Sequence, residues 1–355
     1  MIETLEVALP YIQGLWTLPW ILVGFIVTLL FSRLLGEEKV NKAMKKIGLV
    51  LLYVFVPLLL FRILLGVDFH ENELSFTATC FLILVFMYIL AYLFARYKAK
   101  KMDLKGEKKG CYIKTVLTNQ GRSSAFVGGA MLAIDEWRVF ATIYMIIGAI
   151  FLFAIIPYVL SYLHKKNIKK TDKTPRIHAL PWYLRLFPWY LLSFALAAVI
   201  IHGKTGITTK EFGDFGIIFN FFTAMTIPAA LYYVGAEIRP SDLKINEMKK
   251  LFSVKNDKKS KDHWPWIRNI FFLTVIITPI LTALTLMPLL APGLITSAWF
   301  SVIIINSILP ITSTNMFLVP YGIDKKVTAL SVTWTTIVCV PIIVLLIYVF
   351  TVFFS

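Results

Sequence analysis

Charge is scarce in this sequence. Of its 355 residues only 16% are Asp, Glu, Lys or Arg, whereas 58% are hydrophobic. A soluble domain keeps about a quarter of its residues charged. So little charge excludes water as the main solvent of the surface and points to lipid, as does a mean hydropathy of +0.75. Cysteine is scarce too. Cys80, Cys111 and Cys339 lie in or beside apolar runs, with no metal or redox spacing, and read as small buried hydrophobes. The five histidines, His70, His164, His178, His202 and His263, fall in loops or at run ends, which excludes an intramembrane histidine metal site or proton relay. No carboxylate lies near mid-span. That counts against a sodium/proton antiporter, which exchanges its ion on an acid, and leaves symport through substrate protonation open. Paired catalytic groups are missing from the spans as well, so no catalytic residues, no cofactor and no metal are expected, and an intramembrane enzyme is disfavoured. A receptor or scaffold would need a soluble domain, and none is evident. The opening MIETLEVALP has no basic n-region, so the first apolar run is expected to remain as a helix.

What the sequence does have is length in its apolar runs. Ten approach the roughly 20 residues that cross a bilayer core of about 30 Å. They cover about 11–35, 43–65, 74–96, 111–133, 138–163, 184–202, 213–237, 266–288, 293–319 and 327–354. Backbone in lipid must satisfy its own hydrogen bonds, so these runs are expected to be helices of an all-α polytopic membrane protein.

The net charge of +16 is not spread as a nucleic-acid-binding surface would be, and no nucleic-acid partner is expected. Cations fill alternate connections. Arg33, Lys39, Lys42, Lys45 and Lys46 occupy the first, the third runs from Arg96 to Lys109, and the fifth from Lys165 to Arg185. The seventh runs from Arg239 to Lys261, and the ninth holds Lys325 and Lys326. The connections between them are acidic or nearly uncharged. This is the positive-inside pattern. It places both termini outside a cell membrane and sets a basic cytoplasmic face against anionic lipid.

The fifth connection divides the chain into five runs and five. Residues 1–165 would form one repeat, 166–182 a cytoplasmic linker, and 183–355 a second repeat with a cytoplasmic loop at 239–265. An odd number per half inverts the second half in the membrane, as in many secondary transporters. Weak internal similarity supports this. Val56-Pro57 in the second run matches Ile227-Pro228 in the seventh, Ile156-Pro157 in the fifth matches Val340-Pro341 in the tenth, and Ile134-Asp135 matches Ile323-Asp324. On that register Gly121 aligns with Pro310.

The fourth and ninth runs differ from the rest. The fourth reads Thr118-Asn119-Gln120-Gly121-Arg122-Ser123-Ser124, and the ninth Asn306-Ser307-Ile308-Leu309-Pro310-Ile311-Thr312-Ser313-Thr314-Asn315. Each carries a helix breaker among amides and hydroxyls. Broken backbone at that depth is tolerated where it is buried in protein or lines a wet cavity. Half-helix N-termini then aim N–H groups at that cavity. A crossing of broken helices 4 and 9 is therefore the expected binding site. Its candidates are Asn119, Gly121, Arg122, Ser123, Ser124, Asn306, Pro310, Thr312, Ser313, Thr314 and Asn315. The same hydroxyls and amides could instead be interhelical glue. Arg122 is the charge placed nearest mid-membrane, where an arginine costs about 2.5–3.5 kcal/mol on insertion scales. It would bind a carboxylate or other anion through its donor fork, cap carbonyls freed at Pro310, or stand in for a bound cation. Lys114 and Glu237 lie close enough to the cytoplasmic boundary to snorkel.

These landmarks resemble the auxin efflux carrier family, within the superfamily of bile-acid, arsenite and riboflavin-type transporters. The resemblance spans essentially the whole chain. It rests on Pro57, on Asn119 and Gly121, on the stretch from Pro228 to Gly235-Ala236, and on Pro310 with Tyr321-Gly322. The chain departs from the family pattern in having Arg122-Ser123-Ser124 and Gly128-Gly129 where a proline often follows the asparagine. The resemblance implies two inverted five-helix repeats, crossed helices 4 and 9, and a mobile domain moving against a scaffold. It also implies a homodimer in many members and organic anions such as auxin or dicarboxylates as substrates. The expectation is a secondary active transporter, a permease or efflux carrier, for a small organic anion. The alternative is a sodium-coupled symporter of the bile-acid type.

Overall fold

The structure is a computed structural model of the full chain. It describes Thr4 and residues 19–67, 70–123, 131–132, 134–168, 182–236, 238 and 263–353. In chain order its main helices are α1 (Trp20–Leu35), α2 (Glu37–Leu64), α3 (Glu71–Lys101), α4 (Gly106–Thr118), α5 (Asp135–Leu163), α6 (Arg185–Thr205), α7 (Thr209–Ala236), α8 (Trp264–Leu290), α9 (Ser297–Ile308) and α10 (Lys325–Phe353). Among the described residues the β pairing is a single isolated bridge. Seven helices are long and apolar enough to cross a membrane, namely α2, α3, α5, α6, α7, α8 and α10, while α1 and α9 are apolar but shorter. The all-α, multi-pass expectation thus stands in its broad form, with seven full-length spans among the described residues rather than ten. Two of the shortfalls have a local cause, because α4 and α9 stop where the sequence carries its breakers.

The outer faces fit a lipid solvent. Along α1, Leu22, Ile26, Leu30 and Leu34 are all exposed, and so are Leu345, Tyr348 and Val352 along α10. Apolar stripes of this length on the outside of a helix need lipid or a partner to cover them. The inside is where the polar side chains are. Asn119, Asn306, Ser307, Asn315, Thr328 and Thr335 have no exposed surface at all.

Three spans widen into a π turn just before a proline. Leu51–Phe55 precedes Pro57 in α2, Phe151–Ile155 precedes Pro157 in α5, and Leu273–Ile277 precedes Pro279 in α8. A proline ring clashes with the carbonyl four residues back and leaves it without its donor, and a π turn makes room for it. In α2 that carbonyl belongs to Tyr53, and it accepts from the Tyr190 hydroxyl at 3.0 Å.

By contact the chain forms two compact units, each drawing on both halves of the sequence. One comprises Met1–Ala78, Ser124–Ile146 and Phe187–Arg239, and so holds α1, α2, α7 and most of α6. The other comprises Thr79–Ser123, Ile147–Leu186 and Pro240–Ser355, and so holds α4, α8, α9, α10 and most of α3. Within the first unit α1 and α7 touch backbone to backbone. A Cβ added to Gly24 would strike the carbonyl oxygen of Tyr232, and one added to Gly235 would strike that of Ile21. Small residues permit this approach, and close packing holds membrane helices together where the hydrophobic effect cannot.

Candidate functional site

The polar centre lies wholly within the second unit and starts from two helix ends. Pro310 disfavours helical backbone at the residue before it, and Leu309 duly turns extended, at φ −51° and ψ 148°, ending α9. On the other side α4 closes through tightened turns. The Gln120 N–H donates to Leu117 O and the Gly121 N–H to Thr118 O, both at 3.1 Å. The chain then leaves helical geometry at Gly121.

The two freed segments pair with each other. Arg122 and Ile311 face one another as an isolated antiparallel bridge. The Ser123 N–H donates to Pro310 O at 2.8 Å, and the Thr312 N–H donates to Gly121 O at 3.0 Å. A third orphan, the Ile311 N–H, finds the Thr335 hydroxyl of α10 at 3.1 Å. Backbone that would be ruinous in lipid is therefore satisfied by its counterpart.

Beyond the crossing, residues Ser313–Tyr321 form a 3₁₀ helix. The Thr312 Oγ1 caps it, accepting from the Thr314 N–H at 3.3 Å, and lies 2.9 Å from the Thr314 hydroxyl. Asn315 turns back and donates through Nδ2 to Gly121 O at 3.4 Å. Glycine at 121 is required by this approach, because a Cβ there would sit 2.5 Å from Asn315 Oδ1 and 3.1 Å from Leu152 Cδ1. Asn119 donates to Thr115 O at 2.8 Å and to the Thr328 hydroxyl at 3.3 Å. Both bonds use its Nδ2, which leaves Oδ1 buried without a hydrogen-bond partner, as are Gln120 Nε2, Asn315 Oδ1 and Ser331 Oγ. Arg122 is half-buried and donates from Nη2 to Gln120 Oε1 at 3.3 Å.

The candidates thus separate. Asn119, Gly121, Arg122, Ser123, Pro310, Thr312, Thr314 and Asn315 come together at the crossing. Asn306 lies before it inside α9, its Nδ2 bonding Val302 O at 2.7 Å. Ser313 opens the 3₁₀ helix, but its side chain lies outside the described residues, as does Ser124 entirely. Glu237 also lies outside them.

One expectation is corrected. Lys114 does not snorkel, being 5% exposed with its Nζ donating to Tyr321 O at 2.7 Å. The 3₁₀ helix ends there, in a left-handed Gly322 at φ 78°, and offers a carbonyl that a buried ammonium can satisfy. Sequence reading also missed Thr115, whose hydroxyl accepts from the Asp324 N–H at 2.8 Å. It missed the buried stripe Thr328, Ser331 and Thr335 on α10 as well. That stripe has helical spacing and could have been found, since a polar stripe in a lipid-spanning helix faces protein. No protein-family model matches the chain, and no curated protein matches it.

Proposed function

We propose that this protein is a secondary active transporter for a small organic anion, working by alternating access with its substrate site at the crossing of α4 and α9. The observation that carries the reading is the Arg122–Ile311 bridge, where two interrupted helices meet beside a guanidinium and buried, unpartnered amide groups. Asn119, Ser123, Thr312, Thr314 and Asn315 would hydrogen-bond the substrate, and Arg122 would supply the charge. Unpartnered polar groups that persist in a membrane interior call for a ligand more than for glue.

Ten spans in two inverted repeats, both termini outside a cell membrane, is the topology that fits. The pairing itself supports the repeat. Gly121 O accepts from Thr312 as Pro310 O accepts from Ser123, an exchange that is symmetric on the register that aligns Gly121 with Pro310. The unit of α1, α2 and α7 would be the scaffold and the unit of α4, α9 and α10 the moving part, as in the auxin efflux carriers that the sequence resembles. A homodimer would fit the same comparison. A second reading, sodium-coupled symport, draws on Asn119 Oδ1 and Asn315 Oδ1, since hard oxygen acceptors suit a hard cation.

The test is uptake by the reconstituted full chain, screened with labelled organic acids under proton and sodium gradients of either sign. At least one acid should accumulate, and Arg122→Ala should abolish that uptake while the protein stays monodisperse. Unchanged uptake by a well-expressed Arg122→Ala protein rejects the anion-binding role. Accumulation that demands sodium selects the second reading, and no uptake under any gradient rejects both.

A further inference from the structure

A second site lies away from the crossing, where α3 ends and α4 begins. The turn between them is tightly built. The Leu104 N–H reaches back to Ala99 O at 2.9 Å and the Asp103 N–H to Lys100 O at 3.1 Å, with Asp103 left-handed at φ 50°. This is a Schellman ending with aspartate where glycine is usual. Gly106, at φ 54°, then starts α4. The last turn of α3 is thereby folded back toward the first turn of α4.

Between them is a cavity of about 450 Å³ whose walls include Arg96, Lys100, Lys105 and Lys109. Its one acidic wall residue, Asp103, is already paired with Lys105 at 3.4 Å. A second cavity of about 280 Å³ shares Arg96 and Lys109 with the first, but its remaining walls include Tyr92, Ile113 and Leu163. The site is therefore two-sided, cationic at one end and apolar at the other. From Tyr97, itself a wall of the first cavity, an exposed apolar face continues along α3 through Leu93 and Ile89, one turn apart.

The cations are also oddly placed. Cations are disfavoured at a helix N-terminus, where the dipole is already positive, yet Lys105, Lys108 and Lys109 cluster there against the lone Glu107. An anion held between the two helices would offset that repulsion. We propose that this cleft is a binding site for one anionic phospholipid, its phosphodiester held by Arg96, Lys100 and Lys109 and its acyl chains lying along Tyr92, Ile113 and the α3 face. Arg96 suits the role, since it can fork onto phosphate oxygens while stacked 5.6 Å over the Tyr92 ring. The site is independent of what the crossing carries.

The experiment is native mass spectrometry of the delipidated full chain, titrated with phosphatidylglycerol, phosphatidylcholine or glycerol 3-phosphate. One phosphatidylglycerol should bind per chain, and phosphatidylcholine at least tenfold more weakly. Glycerol 3-phosphate should not displace the lipid. Each basic residue near the membrane surface is worth about fivefold in lipid affinity, so Arg96→Gln/Lys109→Gln should weaken binding by roughly 30-fold. Lys100→Gln/Lys105→Gln gives an independent reading if the first pair fails to fold. Lys42→Gln/Lys46→Gln, an equal charge loss in another basic connection, should leave affinity unchanged. Equal binding of both lipids, displacement by glycerol 3-phosphate, or equal weakening by the Lys42 and Lys46 substitutions would each overturn the proposal.

Discussion

Substituting Gly121 by alanine probes the crossing at its tightest contact. The new Cβ would lie 2.5 Å from Asn315 Oδ1 and 3.1 Å from Leu152 Cδ1. Ordinary contact needs the Asn315 amide to retreat by about 1 Å. Its 3.4 Å bond to Gly121 O does not survive that movement. Asn315 has no exposed surface, so it has little free space to retreat into. Overpacking of this kind costs about 1–3 kcal/mol. At roughly 2 °C per kcal/mol the thermal midpoint in detergent should fall by about 2–6 °C. The decisive form is a double-mutant cycle. In an Asn315→Ala background the clashing oxygen is absent, so Gly121→Ala should lose at least half its penalty. Losses that add within about 0.5 kcal/mol would refute the close approach, and with it the reason for glycine at 121.

Other glycines and the buried lysine extend the same reasoning. Gly235→Ala, which drives a methyl into the Ile21 carbonyl, should lower the thermal midpoint more than Gly121→Ala does, since backbone cannot retreat as a side chain can. Gly148→Ala, in α5 with nothing within 4 Å of the added methyl, should be neutral or stabilising by up to about 1 kcal/mol. Lys114→Met should cost about 1.5–3 kcal/mol for a lost charged hydrogen bond, seen as a lower midpoint and faster amide exchange around Gly322. An unchanged exchange rate there would mean that Lys114 does not hold the end of the 3₁₀ helix.

What was legible in the sequence was what composition and local chemistry decide. The apolar runs marked α2, α3, α5, α6, α7, α8 and α10 because lipid leaves helices few alternatives. The breaks were legible because Pro310 and Gly121 stand among amides and hydroxyls that lipid-facing helices avoid. The close packing of α1 on α7 was half visible, since Gly235 belongs to a recognisable stretch but its partner Ile21 does not. The pairing of Arg122 with Ile311 could not be read, because it joins segments 189 residues apart. Lys114 misled because distance from a span's end measures depth along one helix, whereas its burial depends on the Tyr321 carbonyl far away in sequence.

The claim that the two interrupted segments meet can be tested directly with paired cysteines. A facing, non-hydrogen-bonded antiparallel pair has its Cα atoms about 4.5 Å apart, inside the range of roughly 4.4–6.8 Å that a disulfide spans. With Cys80, Cys111 and Cys339 replaced by alanine, the pair Arg122→Cys and Ile311→Cys should oxidise almost completely in membranes. The pair Arg122→Cys and Ile303→Cys, more than a turn further up α9, should stay reduced. Absence of a bridge in the first pair, or equal bridging in both, would contradict a crossing built from these two breaks.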